Sequence, residues 1–169
     1  VLVGVGDLQS ASLPPASEPV AVHRDASSLL LLLACAHPGE NAMAYEQIYD
    51  MADTAELLGW VEVTYADGYA LNVPLRYGVN VSDWEQGVVY GADAVDCAGP
   101  GGEGPAWFYA LEWANPRLGR IVETVRLVGA PRFTRTDGKR AGGNAIALLG
   151  LSVVERRAHV DQDHGRRTE

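Results

Sequence analysis

The sharpest alternation of apolar and polar positions lies between Gly59 and Arg76. Val61, Val63 and Tyr65 alternate with Glu62 and Thr64, the period of a half-buried strand. Tyr69, Leu71, Val73 and Leu75 alternate in the same way with Ala70, Asn72 and Arg76. Between the two runs stands Ala66-Asp67-Gly68, and Asp-Gly tolerates the positive φ angles of a tight hairpin turn. Asp67 and Gly68 therefore read as turn chemistry first and as a ligand contact second. Pro74 has no N–H to offer a ladder, so the second strand is expected at a sheet edge or a bulge.

The remaining pattern is also mostly β. Val1–Val5 is a short apolar run closed by Gly6-Asp7, and residues 8–19 form a Pro-rich loop. Val20–His23 reads as a brief strand, and Arg24–Ser28 as a polar step. Leu29–Cys35 follows, a run of apolar residues expected to be a central strand buried on both faces. Residues 40–58 break the pattern. Their apolar positions fall near helical spacing, so they predict a short helical or irregular insertion packed on the sheets. Beyond the hairpin, Tyr77–Trp84 turns a corner, Val88–Tyr90 reads as a short strand, and residues 91–105 as a Gly/Pro-rich surface loop. Ala106–Ala114 predicts a strand with Trp107, Tyr109, Leu111 and Trp113 on one face. Arg120–Val128 and Asn144–Val154 predict two more, separated by turn-rich residues 129–143. About eight to ten short strands with frequent turns predict an all-β sandwich or jelly roll over residues 1–154. Residues 155–169 lack an apolar face and read as a flexible tail.

Charge narrows the partners. A formal charge of −9 opposes nucleic acid and anionic membrane surfaces, whose affinity comes from Lys and Arg. Leu29–Cys35 is far shorter than the roughly 20 apolar residues of a spanning helix. Neutral sugars, cations and other proteins remain as partner classes. Cys35 and Cys97 are too few for a disulfide scaffold and lack metal spacing, and sequence alone leaves their pairing open. The absence of an initiator Met reads as a processed protein or a piece of a longer one.

Candidate chemistry is sparse. Sugars are recognised by aromatic faces with carboxylates, amides or guanidinium groups beside them. Trp84 with Asp83 and Glu85, and Tyr90 with Trp107 beside the glycine-rich loop, have that chemistry. The bland alternative makes Trp84 a corner plug and Trp107 and Trp113 core residues. Asn115 and Arg117 read as turn-holding residues, with Asp83 as a candidate partner for Arg117. A glycosidase would need two carboxylates about 5–10 Å apart, which Asp83/Glu85 or Asp93/Asp96 would have to supply. There is no nucleophile elbow and no phosphate loop. His37 before Pro38 reads as turn packing, and His159 and His164 lie in the tail. Asp50 and Asp53 are the side chains from which a structural Ca²⁺ site would be built, and no spacing calls for an organic cofactor. Asn80-Val81-Ser82 matches a glycosylation sequon.

Three groups of residues recur together in a known setting. They are Tyr65, Asp67 and Gly68; then Gly78, Asn80, Asp83 and Trp84; then Trp113, Asn115, Pro116 and Arg117. In this order, over residues 28–154, the chain resembles the galactose-binding-like β-sandwich domains appended to large bacterial glycoside hydrolases of the beta-galactosidase-like and related types. The resemblance implies a jelly roll and a non-catalytic accessory role, packed against a catalytic domain of the same polypeptide. It also implies a secreted, periplasmic or cytoplasmic bacterial setting. Members of that group include sugar binders and structural spacers, so a carbohydrate-binding module using Trp84 is the alternative. A small hydrolase acting through loop carboxylates is the second alternative.

Overall fold

A computed structural model describes residues 1–5, 13–36, 57–85, 87, 89, 91–98, 105–130 and 144–156. Eight strands carry the fold: β1 (Leu2–Val5), β2 (Val20–Ala36), β3 (Leu57–Tyr65), β4 (Ala70–Arg76), β5 (Asp93–Ala98), β6 (Pro105–Ala114), β7 (Ile121–Gly129) and β8 (Asn144–Glu155). Every pairing between them is antiparallel, and there is no helix among the described residues.

The strands form two sheets that share β2. In the first sheet the order is β1-β8-β2-β6-β5, and in the second it is β2-β7-β3-β4. Val20–Asp25 of β2 ladders with β7, whereas Ala26–Ala36 lies between β8 and β6. The change of sheet occurs between Asp25, the last residue paired with β7, and Ala26, the first paired with β8, just after the β2–β7 register shift between Ala21 and Arg24 that contains His23, whose φ is 51°. A residue placed left-handed at a bulge bends and twists its strand, which lets one strand serve both layers. The sandwich architecture follows, with the core between the inner faces.

That core is set by alternation. Leu29, Leu31 and Leu33 of β2 are fully buried, as are Val61 and Val63 of β3 and Val125 and Leu127 of β7. Burying one such side chain contributes about 1.5–3 kcal/mol relative to leaving it in water. The hairpin expected between Gly59 and Arg76 is β3 and β4, and β4 with Pro74 is an edge strand. Its turn differs in one respect. Gly68 alone has a positive φ, 83°, and Asp67 does not. Tyr65 N–H donates to Tyr69 O and Gly68 N–H to Tyr65 O, so the turn closes over a longer loop than a two-residue hairpin.

Several expectations are corrected. Arg24–Ser28 is no break but part of one 17-residue strand, polar because it crosses between sheets near the surface. Asp93–Ala98, assigned to the glycine-rich loop, is the edge strand β5 paired with β6. Leu57 and Leu58, assigned to the insertion, already belong to β3. Glu155, assigned to the tail, ends β8. The rest of the insertion, residues 40–56, the tail from residue 157, and Tyr90 lie outside the described residues. Of the expected strand Val88–Tyr90, only Val89 is described, outside any strand, and Val88 and Tyr90 lie outside the described residues.

Candidate functional site

The Asp-Trp corner is built into the first sheet. Beyond the Leu33–Tyr109 pair the β2–β6 ladder stops, and residues 83–84 take its place. Trp84 N–H donates to Cys35 O at 2.9 Å, and Trp107 N–H donates to Trp84 O at 2.8 Å. The buried Tyr109 hydroxyl donates to Asp83 O at 2.7 Å. Burial raises the Tyr109 and Tyr77 hydroxyl pKa values, so both stay protonated donors at neutral pH. Asp83 itself is only 8% exposed, and its Oδ1 accepts from the Glu85 N–H at 3.0 Å. Asp83 thus braces the corner, and Glu85 is exposed next to it.

Trp107 is half-buried and packs on the core. A Cβ built on Gly87 would stand 2.5 Å from its ring, so the Gly87 backbone occupies that part of the indole surface. Trp113 is likewise partly buried against the core. Asp93 and Asp96 lie three residues apart on β5, which puts them on opposite faces of the strand. They do not converge on one substrate atom. Asp83 and Glu85 do not form an opposed pair either, since the Asp83 carboxylate turns back onto the Glu85 backbone.

The second and third groups of motif residues join turns. Asn80 Oδ1 accepts from Arg76 N–H at 2.8 Å, and its amide donates to Pro74 O at 2.9 Å, so the sequon asparagine closes the turn after β4. Asn115 is buried between β6 and β7. Its Oδ1 accepts from the Tyr65 hydroxyl at 2.6 Å and from the Arg117 N–H at 2.9 Å, while its amide donates to Ala26 O at 2.8 Å. Arg117 pairs with Asp67 through two hydrogen bonds of 3.1 and 2.8 Å, rather than with Asp83. Its guanidinium lies over the Tyr65 and Tyr69 rings, 4.7 and 4.4 Å from their centroids. The hydrogen bonds from Arg117 and from the Tyr69 backbone hold the Asp67 carboxyl below the usual carboxylate range.

A groove of about 440 Å³ opens among the described residues. Trp84 stands on one side of it and Phe108 of β6 and Leu149 of β8 on others. Ala34, Ala36 and Ala147 form part of its floor. The lining side chains carry no carboxylate, amide, guanidinium or hydroxyl. Of the described candidates for binding, Asp83, Trp84, Glu85 and Trp107, only Trp84 lines this groove. Phe108 and Leu149 were not singled out from sequence, although the apolar run of β2 on both faces was the signal for a second covered surface.

Neither Cys35 nor Cys97 is in a disulfide. Cys35 is on β2 and Cys97 on β5, with β6 between them, and two strand spacings of about 4.8 Å exceed the ~7 Å reach of a disulfide. The Cys97 thiol instead donates to Ala106 O at 3.1 Å. Among the described residues no group of three or more His, Cys, Asp or Glu is placed to hold a metal ion. His23 pairs with Glu123 at 3.2 Å on the surface. His37, Asp50, Asp53, His159 and His164 lie outside the described residues. No protein-family model matches this chain, and neither does any curated protein or solved structure.

Proposed function

We propose that the chain is a non-catalytic accessory domain of a carbohydrate-active enzyme, a galactose-binding-like jelly roll whose task is structural. It packs against a neighbouring domain, the catalytic one in the setting its motifs resemble. The observation that carries this reading is the lining of the Trp84 groove. A sugar needs partners for its hydroxyls as well as an aromatic face. The groove offers Trp84 and Phe108 among alanines and leucines, which suits the apolar side chains of another protein surface. The motif residues support the same reading, because Asp67, Asn80, Asn115 and Arg117 spend their polar atoms on turns of the chain itself.

The test is a calorimetric titration of the chain with soluble plant and bacterial oligosaccharides, with tryptophan fluorescence followed in parallel. The expected result is no saturable heat and no spectral change. Saturable binding that disappears in Trp84→Ala would replace the structural reading with that of a carbohydrate-binding module. Turnover of aryl glycosides would replace it with that of a hydrolase.

A further inference from the structure

The two outer faces of the sandwich differ in kind. On the second sheet, Glu62 lies between Arg126 and Asn72, and Thr64 between Thr124 and Ala70. That part is an ordinary solvent face, with the Glu62–Arg126 pair at 2.7 Å across it, while the next row, Trp60 between Val128 and Pro74, is apolar. The register of the first sheet gives a different surface. Leu30 and Leu32 of β2 follow Ser28 on the outward side, and Leu32 pairs with Gly150 and Ala110. One row further on, Ala34 pairs with Ala147, which pairs with Leu2. Phe108 of β6 pairs with Val95 at the far edge. Leu2, Leu30, Val95 and Leu149 are 47, 43, 43 and 49% exposed. The Trp84 groove is sunk into this face.

With strands about 4.8 Å apart and about 3.3 Å per residue, β1 over its 4 residues, β5 over its 6 and the three strands between them over about eight span on the order of 500 Å². That is at the upper end of the largest apolar patch a monomer ordinarily exposes, about 300–600 Å² and often functional, and below the ~800 Å² that one partner gives to a standard interface. Among the described residues, the charged side chains in the rows from Leu30 to Ala34 are Glu112 and Asp93, and Ser152 flanks Leu30 on its other side. Glu112 stands opposite Leu30, and Asp93 opposite Ala110. Neither has a cationic partner among the described residues, and Glu112 only accepts from the Ser28 hydroxyl at 2.7 Å. A second copy of the chain would bring its own Asp93 and Glu112 and another −9 of net charge to the contact.

We infer that the outer face of the first sheet docks a folded protein surface with an apolar centre bordered by Lys or Arg, and does not dock a second copy. The inference rests on the packing role proposed above and adds the chemistry of the partner.

The test uses the whole chain. Sedimentation equilibrium gives a monomer. Nile red, a neutral apolar dye, binds saturably, and the signal falls at least about fivefold in a Leu30→Ser/Leu149→Ser variant, whose changes lie at exposed positions. Two helical peptides with the same Leu/Ala face, bordered by Lys or by Glu, are then compared. The Lys peptide binds at least about tenfold tighter at low salt, and the advantage shrinks at about 0.5 M NaCl. It shrinks as well in Asp93→Asn/Glu112→Gln. A dimer broken by Leu149→Ser would overturn the inference in favour of self-association. Absence of dye binding would overturn it by showing that the chain covers this face itself. Equal peptide affinities, or a Lys preference untouched by Asp93→Asn/Glu112→Gln, would overturn the basic border. None of these results involves sugar, so the proposed function fails separately, by saccharide binding or turnover.

Discussion

Asn115 joins three segments through one buried amide: the end of β3 by way of Tyr65, the crossover of β2 by way of Ala26, and the turn that holds Arg117. Its removal strands the Tyr65 hydroxyl and the Ala26 carbonyl in the interior, where a lost partner costs more than the bond itself contributes. Asn115→Ala is therefore expected to lower stability by about 2–4 kcal/mol, read as a shift in the urea midpoint at unchanged slope. Sequence reading placed Asn115, Arg117 and Asp67 as turn-holding residues because Asn-Pro and Asp-Gly are turn chemistry wherever they occur. It offered Asp83 only as an alternative partner for Arg117 and did not find Asp67, because nothing in a linear string says that the two turns, fifty residues apart, meet at one end of the sandwich. The aromatic faces of Tyr65 and Tyr69 beside Arg117 are hidden for the same reason.

Among the elements, β3 approaches β7 so closely at Gly59 that a side chain there has no room. A Cβ would meet the Val128 carbonyl oxygen and stand 2.8 Å from Ile146 Cδ1. Gly59→Ala must push apart a central ladder, and it is expected to cost about 1–3 kcal/mol, seen as a lower thermal midpoint with secondary structure retained. Gly68→Ala, at a positive φ in open space, is strained for a different reason, its backbone conformation. Elements with clean alternation, such as β3, β4 and β6, were legible before any coordinates. β5 was not, because Asp93-Ala94-Val95-Asp96 on a sheet edge carries no buried apolar face and sits among glycines and prolines. The length of β2 was hidden as well. A strand that leaves one sheet for another passes through a polar stretch, and a polar stretch in a sequence looks like an ending.

At the scale of the molecule, pH acts through the ends of the titration range. The Asp67 carboxyl is held down by Arg117, so its contribution is present above the unfolded carboxylate pKa of about 3.9 and is lost as pH falls through the folded value. Tyr109, Tyr77 and Tyr65 are shifted upward, each chiefly by burial. Their contribution is complete below the unfolded tyrosine pKa of about 10 and is lost as pH rises above it. Stability is expected to be nearly flat through neutral pH, to fall in acid less steeply in Asp67→Asn, and to fall above about pH 10 less steeply in Tyr109→Phe. Denaturant midpoints measured across that range check both limbs.

The sharing of β2 has a consequence on the ribosome. Its three neighbours in the ladders, β6, β7 and β8, begin at Pro105, Ile121 and Asn144. During synthesis at roughly 5–20 residues per second, the segment Leu29-Leu30-Leu31-Leu32-Leu33 waits several seconds before any of them has been made. Until then it is an unpaired apolar strand with free backbone groups on both sides, the kind of segment that nascent chains hand to chaperones or lose to aggregation. The arrangement that knits the finished sandwich together leaves its central strand unpaired until β6 has been made.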